Sequence, residues 1–148
     1  TALASVDAEK MLELLGMPTI PIMPGAVSGA DVRRIVAAIR RGSSLNVSLD
    51  GPIGPYRRAA LGIVRIAQIT GAPLIPIGFS QSMRFHLNTW DRLLVPLPFQ
   101  RMIYFCGEPL FVAPHSKAAD LEDARSEIER RLSQATDLAD AAVARRFA

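Results

Sequence analysis

The chain has 148 residues, 49% of them apolar and 21% charged. That is the balance of one globular domain with its own core, and it excludes a wholly disordered segment. Its formal net charge of +3 suits phosphate groups or an anionic membrane surface, and no apolar run approaches the roughly 18 residues that span a bilayer.

The opening Thr1-Ala2-Leu3-Ala4-Ser5 lacks the basic residues of a secretory signal. A single cysteine, Cys106, leaves no intrachain disulfide to form and fits a cytoplasmic location. Val6 to Leu15 reads as a short helix, with Met11, Leu14 and Leu15 as its apolar stripe and Gly16 as its stop. Asp7 and Glu9 fall in its first turn, where the helix dipole favours acids. The segment 18–24 carries Pro21, which cannot donate to a ladder, so it reads as an edge strand or irregular extended chain.

Ala30 to Arg41 is predicted helical. Val32, Ile35, Val36 and Ile39 recur on one face, the arginines Arg33, Arg34, Arg40 and Arg41 lie elsewhere, and Gly42 ends the run. The alternation Leu45-Asn46-Val47-Ser48-Leu49 has the period of a half-buried strand. A second helix is expected over Arg58 to Thr70, stopped by Gly71, and a short apolar strand over Pro73 to Phe79. Helix and strand alternating in this way imply βαβ units, hence an α/β fold with a largely parallel central sheet flanked by helices.

The rhythm breaks after residue 80. Residues 81–87 read as strand or loop, and Pro96-Leu97-Pro98-Phe99 has little backbone freedom. Met102 to Cys106 is predicted as the last strand. From Lys117 onward Leu121, Ala124, Ile128, Leu132, Ala135 and Ala139 recur at spacings of three and four, so a long C-terminal helix is expected, with Glu127 and Arg131 as an i, i+4 pair. There is no internal repeat and no linker long enough to divide the chain.

The stretch with most chemical content is Ser48 to Arg58. Asp50 closes the predicted strand, Gly51-Pro52 and Gly54-Pro55 stiffen two turns, and Arg57 and Arg58 follow. In open α/β sheets a loop at a strand's carboxyl end is where ligands sit, and arginine forks suit phosphate or carboxylate. The alternative is a plain strand-to-helix connection with a capping acid. Arg84, Arg92 and Arg101 flank the same region in sequence. The two histidines, His86 and His115, have no metal-ligand spacing, so no metal site is expected. His86 lies between Phe85 and Leu87, where a structural histidine competes with a catalytic one. No dinucleotide or Walker motif is present.

Leu49-Asp50-Gly51-Pro52-Ile53-Gly54-Pro55-Tyr56-Arg57-Arg58 resembles the Pro-Asp-Gly-Pro-Arg-Gly-Pro-Arg signature of a bacterial family of uncharacterised proteins related to the lysophospholipid acyltransferases, within the glycerolipid acyltransferase superfamily. The likeness extends to Ala59 to Gly62, to the segment 70–78, to Trp90-Asp91-Arg92 with 95–99, and to Gly107-Glu108-Pro109-Leu110. Upstream, Asp7-Ala8-Glu9 resembles the family's Asp-Gly-Glu. The resemblance implies an acyltransferase-like fold and transfer of a fatty acyl group from an acyl-CoA or acyl-carrier-protein thioester to a lysophospholipid-like hydroxyl, with no resident cofactor. It makes Asp50, Gly51, Pro52, Gly54, Arg57 and Arg58 the acceptor-binding set. The partners implied are the thioester and a lipid or phosphorylated acceptor, with peripheral contact on the inner membrane and no nucleic acid. The superfamily's general base is the histidine of a His-x4-Asp pair that precedes this loop, and here no histidine precedes residue 86. The expectation is therefore a fragment or a short form without that base. Asp7, Glu9 and His86 are its candidate substitutes. A non-catalytic homologue binding lipid, an acyl chain or a protein partner is the alternative.

Overall fold

The computed structural model describes Leu14, Gly16, Ile20 and residues 27–47, 58–83, 85–86, 94–95 and 99–147. The chain divides into two compact units, Thr1–Ser43 and Ser44–Ala148.

In the first unit, helix α1 spans Gly29–Arg40. Ser28 starts it with a capping box. Its hydroxyl accepts from the Asp31 N–H at 3.2 Å, and the Asp31 carboxylate accepts from the Ser28 N–H at 3.0 Å. Two of the donors that a helix start leaves open are thereby satisfied. Ile35, in the middle of the apolar face, is buried, whereas all four arginines are exposed.

The second unit holds helix α2 (Leu61–Thr70) and strands β1 (Ile77–Gln81), β2 (Phe85–His86), β3 (Leu94–Val95) and β4 (Met102–Cys106). It ends in helix α3 (Ala118–Phe147), 30 residues long. Residues 58–60 are not helical, so α2 begins three residues later than its apolar pattern suggests, at an extended Ala60. Gly71 ends it in the left-handed conformation, φ 71°, a region glycine enters without a Cβ penalty.

The expected largely parallel sheet is not found among the described residues. β1 pairs with β4 antiparallel, Ile77 opposite Cys106 and Gln81 opposite Met102. β2 pairs with β3 antiparallel as well. An isolated antiparallel bridge joins Leu74 to Leu110. The physical reason lies between β1 and β4. A parallel pair needs a crossover of about a dozen residues or more, usually a helix. Here the intervening chain carries the β2–β3 pair, and no helix occurs there among the described residues. Residues 45–47, the first part of the predicted strand to Leu49, join no ladder.

Helix α3 organises the unit. Its buried positions Leu121, Ile128, Ala135, Ala139 and Val143 form one stripe at intervals of seven and four. The first half packs on α2 in a core of Ala59, Val64, Ala67, Val112, Leu121 and Ile128. The second half lies across β1 and β4. Small residues allow the close approach: Gly78 lies directly against the Ala135 carbonyl and the Thr136 amide nitrogen. Next along β1, the fully buried Ser80 hydroxyl donates to Asp140 Oδ1 at 2.6 Å.

Candidate functional site

Of the site residues expected from sequence, Arg58 and the backbone of His86 are described. Asp7, Glu9, Asp50, Gly51, Pro52, Gly54 and Arg57 lie outside the described residues. Arg58 is exposed and leads into α2. His86 stands on β2 opposite Leu94.

Three of the stretches that carry the resemblance do come together in the second unit, and α3 ties two of them. The first is the exit of the 49–58 segment. The Ala59 N–H donates to Glu129 Oε2 at 3.1 Å, and the Ala59 carbonyl accepts from Arg125 Nη1 at 3.4 Å. Arg125 also donates to Glu129 at 2.6 Å and to Glu122 at 2.7 Å. The Ala59 N–H is the main reason the Glu129 carboxyl lies below the usual carboxylate range, helped by Arg125 and the charge of Arg58. Main chain immediately after the motif is thus gripped on both sides by a charged pair one helical turn apart.

The second is the turn at Gly107-Glu108-Pro109-Leu110. Arg131 Nη1 donates to the carbonyls of Glu108 and Pro109, both at 3.2 Å, while its Nε donates to Glu127 at 2.6 Å. The third, the segment 70–78, meets that turn through paired backbone bonds, Leu74 N–H to Leu110 O at 2.9 Å and the reverse at 2.8 Å. The Gly107 N–H donates to Pro76 O at 2.9 Å. Pro76 therefore stands outside the β1 ladder and still contributes an acceptor to it.

Opposite α3, the β1–β4 sheet shows an apolar face. Ile77, Phe79, Met102 and Tyr104 share it and all are exposed, with Tyr104 62% accessible. The rings of Phe79 and Tyr104 lie 6.1 Å apart at 34°, within the range of aromatic pairs. A contiguous exposed apolar patch of this kind marks an interaction surface more often than scattered residues do. At its far end Gln81 is buried and accepts from Gln100 Nε2 at 2.7 Å. The side-chain Oε1 of Gln100 is buried and has no hydrogen-bond partner among the described residues. From the Pro-Leu-Pro-Phe element, Phe99 adopts φ 65°, unusual outside glycine, and its ring is fully exposed.

Among the described residues no group of three His, Cys, Asp or Glu side chains could hold a metal ion. Among them, too, no helix is long and apolar enough to cross a membrane.

The chain is 33% identical over 135 residues to an uncharacterized protein of Rickettsia prowazekii (strain Madrid E), an alignment covering 89% of this chain and 60% of that protein. The similarity is to a bacterial protein. The chain spans about 60% of that relative's length. No family model matches the chain, and no solved structure matches it.

Sequence reading missed Arg125, Glu129, Ser80 and Asp140, because what joins them to the motifs is contact between residues 60 or more positions apart. His86 and Asp91 stand at the His-x4-Asp interval, downstream of the loop instead of upstream.

A pH dependence follows from the Glu127 cluster. Hydrogen bonds from Arg130 and then Arg131 lower the Glu127 carboxyl to about 2. A carboxyl depressed on folding stabilises the folded state fully above its unfolded value, near 4.5, and this contribution is lost as pH falls toward 2. Urea unfolding midpoints measured from pH 7 down to pH 2 are expected to fall below pH 5. Glu127→Gln should make that acid-side slope shallower while leaving the pH 6 to 7 region flat.

Proposed function

We propose that this domain acts in acyl transfer, binding a lysophospholipid-like acceptor through the 49–58 segment while a fatty acyl thioester, acyl-CoA or acyl carrier protein, supplies the acyl group. The observation that carries the reading is Asp50-Gly51-Pro52-Ile53-Gly54-Pro55-Tyr56-Arg57-Arg58, together with the four further stretches that follow it in the family's order. Two features support it. The main chain at Ala59, where the segment ends, is held by Arg125 and Glu129, an arrangement that gives a binding loop a fixed exit. The open face of Ile77, Phe79, Met102 and Tyr104 is apolar enough for an acyl chain.

In this reading His86, with Asp91 five residues on, is the candidate base. It would take the proton of the acceptor hydroxyl as the oxygen attacks the thioester carbonyl. The carbon–sulfur bond then breaks, and the thiol leaves carrying a proton. Asp7 and Glu9 are the other candidate bases. The test is release of free thiol from an acyl thioester by the purified chain, with and without lysophospholipid. His86→Ala is expected to lower kcat about a hundredfold or more, and Asp50→Ala to raise KM for the acceptor. Unchanged rates in both variants would remove these assignments.

A second reading is favoured by one observation, the exposed apolar face of Ile77, Phe79, Met102 and Tyr104. Here the domain binds lipid, an acyl chain or a protein partner without turnover. Saturable binding of acyl thioester or lysophospholipid with no thiol release would select it.

A further inference from the structure

We infer that the arginine face of α1 is a docking surface for an anionic lipid bilayer. At 100° per residue Arg33, Arg34 and Arg40, with Arg41 at the C-cap, fall within an arc of about 120°, and all four are exposed. The positions between them on that arc are Ala30 and Ala37, so the face presents arginine and alanine and nothing else. Residues 27–47 hold these four arginines against one acid, Asp31. Asp31 is turned to the helix start, where Ser28 engages its carboxylate through both N–H and hydroxyl, at 3.0 and 2.6 Å. Those hydrogen bonds hold it below the usual carboxylate range, and its approach to Arg34 is a loose 4.0 Å. The chain's surplus of positive charge is thereby matched in size by one side of one short helix.

The apolar side of α1 is turned away from that face, with Ile35 buried and Val32, Val36 and Ile39 half-buried. The helix is therefore not free to sink its apolar side into a bilayer, as an interfacial helix does. It is built to adsorb through charge. Four basic residues on a helix are the smallest cluster expected to concentrate on anionic headgroups, and a guanidinium fork meets a phosphate with two hydrogen bonds where an ammonium gives a point charge. A single-stranded nucleic acid is the poorer match. The face carries no aromatic ring on which a base could stack, and no amide to read a base edge.

The experiment is sedimentation of the full chain with phosphatidylcholine vesicles, with and without phosphatidylglycerol, at low and high salt. No thioester is present, so the result stands apart from the acyl-transfer reading. Binding is expected only with the anionic lipid and should weaken with salt, as charge pairs beyond a Debye length of about 10 Å are screened. Arg33→Gln with Arg40→Gln should weaken it roughly twentyfold, while Arg33→Lys with Arg40→Lys should retain most of it. Glutamine keeps helix propensity near that of arginine, and circular dichroism checks that the helix persists. Equal binding to neutral vesicles would overturn the inference, as would glutamine variants that bind like the original chain. Tighter binding to a random oligonucleotide than to anionic vesicles, lost in the same glutamine variants, would assign the face to nucleic acid and overturn it too.

Discussion

Gly78→Ala is expected to destabilise the second unit by about 3 kcal/mol. A Cβ at Gly78 would fall inside the van der Waals envelope of the Ala135 carbonyl group and the Thr136 amide nitrogen. All three atoms are helix backbone, so no side-chain rotation can relieve the clash. The strand must move away from α3, or the helix must bend. Either movement also stretches the buried bond from Ser80 to Asp140 two residues along β1. The glycine is required here for space, since its φ is not positive. Gly62→Ala is the matched control. Gly62 is exposed in the first turn of α2 with nothing within 4 Å of the added carbon, and alanine there should gain up to about 1 kcal/mol in helix propensity. Urea unfolding reads both. A Gly78→Ala midpoint equal to that of the original chain would refute the close helix–strand approach.

What the sequence disclosed is what local rules control. The Ile35 face and Gly42 located α1, Gly71 located the end of α2, and the strand Met102–Cys106 was bounded correctly because it is a short apolar run between turns. The Glu127–Arg131 pair forms at 2.6 Å as its i, i+4 spacing required. Strand direction was not legible. Alternation of helix and strand favours parallel pairing as a tendency, but the register of Ile77 with Cys106 depends on a return over residues 82–101 that carries no periodic signal. Pro76, inside the strand expected over Pro73 to Phe79, is an acceptor just outside the ladder, for Gly107. Of the candidate site, the motif residues could be named but their supports could not. Arg125 and Glu129 look from sequence like one more surface ion pair on a charged helix, and only the position of Ala59 between them gives the pair another task.

Ile128→Ala is expected to cost about 3 kcal/mol, against about 1 kcal/mol for Ile128→Val. Ile128 is 2% exposed and belongs to the core that joins α3 to α2, with Val64, Ala67, Val112 and Leu121 around it. Three of these neighbours are already small or β-branched, so the space left by three lost carbons cannot be closed by a simple rotamer change. The loss is not confined to the core. Ala59 is part of the same cluster and is also the residue whose backbone is held by Glu129, one position along α3 from Ile128. A cavity there should loosen α2 and the exit of the 49–58 segment together, as one cooperative unit. Amide hydrogen exchange distinguishes this from uniform weakening. In Ile128→Ala, the amides of residues 63–70 and 59 should exchange faster under native conditions, while those paired between β1 and β4 change less. If the two groups accelerate equally, the variant acts through global unfolding, and α3 does not separately anchor the motif's exit. If the α2 group leads, the acceptor binding proposed for Asp50 should weaken in this variant more than in Gly78→Ala at equal global stability.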